Sequence, residues 1–232
     1  MGRRAPFHIR LEVDPALAAA VRLGVLAAAP VRVGPPHAQL DRAIDAWARS
    51  ARSAHAGRAP AEIRDLAPAR ALYRVFGVDP TRTRPSSEAL LRRVLGEKPL
   101  PRILDAVDLS NLLALRFLLP IGLYDADAIR GSVRLCRAGT DAEYEGVRKR
   151  RVRLAGRPAL ADANGPFGNP TADSARTAVT VVTRRLWMVI FAPATLPRAV
   201  MESNLEIAAD SVRTHLSEPA TGIATEIVDA GA

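Results

Sequence analysis

The spacing of apolar residues changes near Pro120, and this change constrains the fold more than any other feature of the 232-residue sequence. Before this point apolar side chains recur every three or four residues, as on one face of a helix. Beyond it they largely alternate with polar side chains, as in strands. Helices are predicted at 39–53, 63–76, 85–95, 105–118 and 195–216, and strands at 132–137, 178–182, 186–191 and 223–228. The pattern indicates an α+β fold, with helices in the first half and an antiparallel sheet in the second.

The N-terminal segment is predicted to form a strand and then a helix. Residues 7–13 alternate between apolar and polar. Asp14 is then a helix N-cap and Pro15 the first helical residue, opening an alanine-rich helix that Gly24 ends. The valines that follow, at 31 and 33, are expected to return to a sheet. Residues 183–185 would connect strands 178–182 and 186–191 as a hairpin.

The composition bounds the class of protein. A mass of 24.8 kDa allows one substantial core or two small ones. No apolar run approaches the roughly 18 residues of a membrane span, and no signal peptide is recognised. The single cysteine, Cys136, excludes an internal disulfide and fits a reducing cytoplasm. The four histidines lack metal-ligand spacing. We expect a cytoplasmic protein without metal, cofactor, membrane contact or obligate protein partner.

The charge suggests a polyanionic partner without proving one. The formal net charge is +9 and the isoelectric point is near 10.9. Clustered cations bind phosphates by releasing counterions. Only Lys98 and Lys149 among the 33 basic residues are lysine, and a GC-rich genome would also encode such an arginine-rich chain. Composition alone leaves both explanations open.

Four short motifs carry a family resemblance. Residues 79–93 read D-P-T-R-T-R-P-S-S-E-A-L-L-R-R, residues 107–111 read V-D-L-S-N, and residues 119–125 read L-P-I-G-L-Y-D. Residues 161–168 read A-D-A-N-G-P-F-G, followed by D-S-A-R-T-A-V at 173–179. In order and spacing these motifs resemble the B3/B4 module of bacterial phenylalanyl-tRNA synthetase β subunits. They are most similar to the freestanding proteins related to that module.

The resemblance implies a layered α+β fold, with antiparallel or mixed sheets flanked by helices. It also implies a task, because the synthetase module hydrolyses the ester between a wrong amino acid, above all tyrosine, and tRNA. A freestanding copy is then expected to bind the aminoacylated 3′ end of a tRNA and to deacylate it in trans. Residues 61–232 would form the module, and residues 1–60 an N-terminal α/β extension packed on the same core.

Ser110 and Asn111 are the catalytic candidates. An aminoacyl ester is already activated, so its hydrolysis needs a held adenosine, a polarised carbonyl and a placed water. The matched region contains no histidine, which argues against a Ser-His-Asp mechanism. Ser110 stands where the synthetases have threonine, and Asn111 where they keep asparagine. In the structural alternative, Asn111 caps a neighbouring loop and Asp108 pairs with an arginine.

Gly122 is the main departure from the synthetase pattern. At the matching position the synthetases have a histidine that lines their amino-acid pocket. Glycine would leave extra room, and no glutamate for a tyrosine hydroxyl is found, so a different, aliphatic amino acid is suggested. A plain turn glycine is the alternative.

Further substrate contacts are predicted in the other motifs. A carboxylate suits a substrate ammonium group, and a helix N-terminus suits phosphate or carboxylate. Some of these side chains would equally serve as caps or turn residues. The candidates are Arg84, Ser86, Ser87, Glu88, Tyr124, Asp162, Ser174, Arg176 and Thr177.

The densest basic run is predicted to contact tRNA phosphates, although a solvated charged face is the usual alternative. It comprises Arg148, Lys149, Arg150 and Arg151. Three functions remain open at this point: a trans-acting aminoacyl-tRNA deacylase, a non-catalytic binder of tRNA or amino acid, and an esterase or amidase unrelated to RNA.

Overall fold

The computed structural model describes residues 6–147, 150–218 and 220–229. These residues form six α-helices: α1 (Pro15–Ala18), α2 (Ala38–Ala54), α3 (Ala67–Val75), α4 (Ser86–Leu95), α5 (Asp105–Phe117) and α6 (Arg198–His215). They also form ten strands: β1 (Leu11–Val13), β2 (Val21–Ala29), β3 (Ile121–Asp125), β4 (Val133–Arg137), β5 (Glu143–Glu145), β6 (Arg151–Arg153), β7 (Pro158–Asp162), β8 (Gly165–Gly168), β9 (Leu186–Pro193) and β10 (Gly222–Val228). The predicted α+β class is confirmed.

The strands form two four-stranded sheets and one hairpin. The first sheet has the order β1-β4-β7-β8 and is mixed, since β1 runs parallel to β4. The second sheet has the order β10-β2-β9-β3 and is antiparallel throughout. Strands β5 and β6 pair only with each other. The predicted edge strand at 223–228 is therefore confirmed as β10.

Strand β9 shows how the layers stack. Trp187, Val189 and Phe191 pack in the core that includes residues of the first sheet, whereas Met188 and Ile190 pack in the core that includes α2, α5 and α6. The second sheet thus lies between the first sheet and a layer of helices. Successive side chains of a strand point to opposite faces, so a middle sheet must be apolar on both.

The predicted alanine-rich helix ending at Gly24 is wrong. Asp14 does cap a helix, accepting a hydrogen bond from the Ala16 N–H at 3.0 Å, but this helix ends at Ala18. Gly24 lies inside β2, where a Cβ would collide with the Met201 side chain of α6. Strand β2 is buried on both faces and so lacks the alternation by which strands are recognised from sequence.

The predicted strand at 178–182 and its hairpin are also wrong. No described residue in 178–185 belongs to a strand, and Thr183 instead donates a hydrogen bond to Asp125 Oδ2 at 2.7 Å. Strand β9 pairs with β2 and β3, which are distant in sequence. The valines at 31 and 33 are buried but lie outside the named strands.

The helix predictions are more accurate than the strand predictions because they rest on local sequence signals. Helices α2, α4, α5 and α6 begin and end within about three residues of the predicted positions, and Gly96 follows α4 as expected. None of the described helices is both long and apolar enough to cross a bilayer.

Residues 6–60 share the sheets and cores of the remainder of the described chain. Strand β2 lies between β10 and β9, and α2 contacts α4 and α5. The carboxylate of Asp105, which is fully buried, accepts hydrogen bonds from the Gly34 N–H and from the Ser217 N–H and hydroxyl at 2.5–3.0 Å. Three distant segments therefore meet at the start of α5. The module boundary at residue 60 stays a prediction.

Candidate functional site

A cleft of about 590 Å³ lies in the described part of the chain. Its walls come from α3, α4, α5, the β5–β6 hairpin and the loop 169–173. The lining residues are Tyr73, Phe76, Val78, Ser86, Leu90, Ser110, Asn111, Ala114, Ile121, Gly146, Val147, Arg150, Arg151, Val152, Arg153, Arg157, Pro158, Asn169, Pro170, Thr171, Ala172 and Asp173. Polar, basic and apolar groups thus meet in one concave site.

Helix α5 presents two polar side chains to the cleft. Ser110, Asn111 and Ala114 lie on one helical face, since positions three and four apart are neighbours on a helix surface. The Ser110 and Asn111 side chains make no hydrogen bond to the described residues, so Asn111 does not cap a loop. Their polar groups are available to a ligand, and the small Ala114 leaves space beside them.

Two carboxylates fix the N-terminal end of α5. Asp105 accepts the Ala106 N–H at 2.6 Å in addition to its contacts with distant segments, and Asp108 accepts the Ile103 N–H at 3.0 Å. Burial raises the pKa of Asp108, against a smaller lowering by that N–H. The Ala106 N–H belongs to the first helical turn and gains an acceptor in this way, whereas the Ile103 N–H lies just before the helix. The position of Ser110 and Asn111 therefore depends on buried hydrogen bonds.

The β5–β6 hairpin and the segment after it form the basic wall of the cleft. Arg150, Arg151, Arg153 and Arg157 all line it. Arg151 is ion-paired with Glu143 at 3.0 Å, but its side chain is 69% exposed, so solvent screens the pair. The wall is therefore electropositive. The other two predicted phosphate contacts, at 148 and 149, lie outside the described residues.

Tyrosine hydroxyl groups hold the loop 169–173 against the cleft. The Tyr73 hydroxyl donates to the Pro170 carbonyl at 2.9 Å, and the Tyr144 hydroxyl donates to the Ala172 carbonyl at 2.6 Å. Burial raises the pKa of Tyr73 to about 12 and raises that of Tyr144 as well. Both phenols therefore remain protonated donors at neutral pH, and this wall is fixed from two sides.

Asp173 is the one carboxyl group in the described lining of the cleft. Its Oδ1 atom is buried without a hydrogen-bond partner in the described chain, and Oδ2 accepts a long hydrogen bond from the Leu123 N–H at 3.4 Å. The Tyr124 hydroxyl lies nearby but does not meet it in good hydrogen-bond geometry. Burial raises the pKa of Asp173 to about 7, and the nearby Tyr124 hydroxyl and Leu123 N–H lower it by smaller amounts.

The expectation that Gly122 leaves extra room is wrong, as is its assignment to a turn. Gly122 lies in β3, and a Cβ there would collide with the hydroxyl end of Tyr124. Gly168 faces the same phenol from β8, where a Cβ would also collide. Tyr124 is fully buried between them and does not line the cleft. Gly122 is thus required by close packing.

The sequence of this chain matches that of a known domain family. The model of the B3/4 domain matches residues 68–218. This chain belongs to the B3/4 domain family. The resemblance carried by the four motifs is confirmed. The matched range contains all the described residues that line the cleft.

One solved structure similar to this B3/4 protein is an N-terminal fragment of the phenylalanyl-tRNA synthetase β subunit from Pyrococcus horikoshii. The two share 13% sequence identity with a TM-score of 0.41, over 86% of this chain and 49% of that one. The B3/4 protein therefore spans about half the length of the fragment. No curated protein matches the sequence significantly.

The first motif contributes one residue to the cleft of the B3/4 protein. Ser86 lines it, whereas Arg84 is exposed outside it and Ser87 is fully buried. Glu88 does not line the cleft, and its carboxylate pairs with Arg70 at 2.8 Å and with Arg92 at 3.0 Å, so its contact with substrate stays a prediction. Burial raises the pKa of Glu88, but these two ion pairs outweigh it and hold the pKa below its usual range.

The predicted contact positions of the fourth motif have structural partners outside the cleft, and their substrate roles stay predictions. Asp162 is paired with Arg176 through two hydrogen bonds of 2.9 and 3.0 Å, and its side chain is fully buried. Ser174 accepts the Arg176 N–H at 3.1 Å, which caps a short turn. Thr177 is buried, and none of these residues lines the cleft.

Several lining residues were missed from the sequence. Asp173 opens the second half of the fourth motif, and Tyr73 and Arg157 lie outside every motif. The only sequence signal that could have identified a lining residue is a polar side chain inside a recognised motif. Of these three residues, only Asp173 has it. Among the described residues, no three histidine, cysteine or acidic side chains are grouped closely enough to hold a metal ion.

Proposed function

We propose that this B3/4 protein binds the aminoacylated 3′ end of a tRNA in the cleft and hydrolyses its ester bond, in trans and in the cytoplasm. The observation that carries the proposal is the meeting of Ser110 and Asn111 with an arginine wall in one cleft. Positive charge favours RNA phosphate, and neutral polar groups suit an ester that needs little activation.

The size and lining of the cleft support this substrate class. A volume of about 590 Å³ lies within the roughly 300–1,000 Å³ range of small-molecule sites, which suits one nucleoside with an attached amino acid. Phe76, Val78 and Ile121 offer apolar surface for a base or a side chain. Arg150 and Arg153 offer charge for the adjoining phosphate.

Hydrolysis in this cleft requires placement more than acid–base strength. The oxygen of a water molecule attacks the ester carbonyl carbon, the bond to the ribose oxygen breaks, and the water proton passes to that oxygen. In our proposal the Ser110 hydroxyl orients the water at about 3–3.5 Å from the carbon. The Asn111 amide donates a hydrogen bond to the oxyanion that develops on the carbonyl.

A second candidate is binding without hydrolysis. The described lining contains no histidine or cysteine, and Oδ1 of its single carboxyl group, Asp173, is closed to solvent. A cleft without an accessible base would hold the same RNA end but leave the ester intact.

Incubation with a panel of mischarged tRNAs tests the proposal. We expect the wild-type protein to remove at least one amino acid, and Asn111→Ala to slow that reaction by about 100-fold, as for loss of an oxyanion donor. tRNA affinity, measured by gel shift at low salt, should change less than threefold. Ser203→Ala, on the α6 surface, is the control substitution.

The outcomes separate the candidates. Binding without ester loss from any tRNA in the panel would favour the non-catalytic binder. Neither binding nor ester loss would contradict both RNA functions. Equal losses of rate and affinity in Asn111→Ala would mean that Asn111 supports the structure.

A further inference from the structure

A second, smaller hollow lies between α2 and the segment that links α4 to α5. Its volume is about 210 Å³. Its lining is strongly charged and comprises Ile44, Asp45, Ala48, Arg49, Arg52, Val94, Glu97, Lys98, Pro99, Leu100 and Arg102. No residue of this hollow also lines the first cleft.

The charges in this hollow are unbalanced. Arg102 is compensated, because it contacts Asp41 at 2.7 Å and Asp45 at 3.3 Å. Arg49 and Lys98, like their neighbour Arg52, take part in no ion pair within the described chain. Apart from Arg102 and Asp45, the lining thus holds three cations and one carboxylate, Glu97, so it carries an excess of positive charge that attracts an anion.

Helix α4 connects this hollow to the first cleft. Ser86 and Leu90 line the first cleft, and Val94 lines the second hollow. These positions are spaced four residues apart, so they follow one face of the helix. At about 1.5 Å of rise per residue, Ser86 and Val94 are separated by roughly 12 Å along the helix axis.

We infer that the second hollow binds backbone phosphate of the same tRNA whose 3′ end occupies the first cleft. This inference rests on the proposed function. A nucleic-acid strand advances about 3.4 Å per nucleotide in a helix, so roughly 12 Å corresponds to three or four nucleotides. A strand leaving the cleft reaches the second hollow within that distance, where Arg49, Arg52 and Lys98 neutralise its phosphates.

The test compares two triple variants that lose the same charge. The first, Arg49→Gln, Arg52→Gln and Lys98→Gln, removes the unpaired cations of the hollow. The control is Arg32→Gln, Arg198→Gln and Arg213→Gln, three exposed arginines outside both hollows. Both are measured for tRNA binding as a function of salt concentration. Thermal unfolding of each variant verifies that it is folded.

We expect the first triple variant to bind tRNA at least tenfold more weakly at low salt. A plot of the logarithm of its tRNA binding constant against the logarithm of salt concentration should be less steep than that of wild type by about 2. Each lost phosphate contact contributes about 0.7–0.9 to this slope. The control variant should change the slope by less than about 1. A two-nucleotide RNA ending in the 3′ adenosine covers only about 7 Å and is too short to span both hollows, so its binding should be equal in wild type and the first variant.

The outcomes distinguish this inference from the proposed function. Equal tRNA binding by both triple variants would overturn the second phosphate site, while retained binding and deacylation by wild type would keep the proposed function. Weaker binding of the two-nucleotide RNA in the first variant would also overturn the second phosphate site, because the substitutions would then act through the cleft itself. Absence of tRNA binding in wild type would overturn both proposals.

Discussion

At the scale of single residues, burial changes the chemistry that a motif suggests. Glu88 and Asp162 are acidic residues in recognised motifs, yet both are neutralised by arginines, and Glu88 is nearly fully buried. Among the described residues no arginine pairs with Asp173, and burial raises its pKa to about 7. A buried charge is stable only when it is paired. Pairing with arginine therefore distinguishes the structural carboxylates Glu88 and Asp162 from Asp173 in the cleft wall.

Asp173→Asn tests this point through the pH dependence of stability. The Asp173 pKa rises from its ordinary value of 3.8 to about 7 on folding, so the folded state binds more protons between these values. Its contribution to stability is therefore lost as the pH rises from about 4 to 7. At about 1.4 kcal/mol per pKa unit, the variant should gain at most ~4 kcal/mol relative to wild type across that range.

Urea unfolding at several pH values measures the effect. Tyr124 and Tyr144 face the carboxyl group, and both phenols stay protonated there because their pKa values are raised. Titration of these two tyrosines therefore does not cause the predicted change in the free energy of unfolding with pH. Asp141→Asn, at an exposed position, is the matched control. Parallel stability curves for wild type and Asp173→Asn would show that the carboxylate is not destabilised by burial.

At the scale of elements, α5 determines whether the cleft is assembled. It carries Ser110 and Asn111, and its N-terminal end is joined through Asp105 to Gly34 and Ser217. Helix α4 borders both the cleft and the second hollow. Both helices were predicted from local signals, but the side chains that anchor α5 were not, because their partners are far away in sequence.

Asp105→Ala should destabilise the protein by about 2–4 kcal/mol, since it leaves buried N–H and hydroxyl donors without an acceptor. Chemical denaturation measures this free energy of unfolding. Asp210→Ala, which removes an exposed carboxylate paired with Arg213, should cost less than about 1 kcal/mol. A similar small loss for both variants would mean that Asp105 does not anchor α5.

At the scale of the whole molecule, the N-terminal segment belongs to the sheets that support the cleft. Strand β2 pairs with β9 and β10, and β9 in turn pairs with β3. Residues Leu23, Val25 and Leu26 of β2 contribute to both apolar cores. Removal of a central strand exposes apolar side chains and unpaired backbone groups together.

We expect residues 61–232 alone not to fold cooperatively, although they contain the whole family match. Circular dichroism during thermal unfolding and amide dispersion in NMR spectra measure this. The intact protein, measured in the same way, is the control and should show a single cooperative transition. A cooperative transition for 61–232 would support an independent module with a dispensable extension.

The sequence by itself determined the α+β class, the bounds of four long helices and the membership of the B3/4 family. These follow from local information: helical periodicity, terminating glycines and short motifs. It also selected Ser110, Asn111, Ser86, Arg150 and Arg151, which share one cleft.

Only the tertiary structure decided the order of the strands and the roles of the buried polar residues. Strands β2 and β9 are apolar on both faces and pair with distant partners, so neither periodicity nor chain proximity identifies their neighbours. The role of a carboxylate such as Glu88 depends on which arginine folding brings beside it, and that distance is not a property of the local sequence.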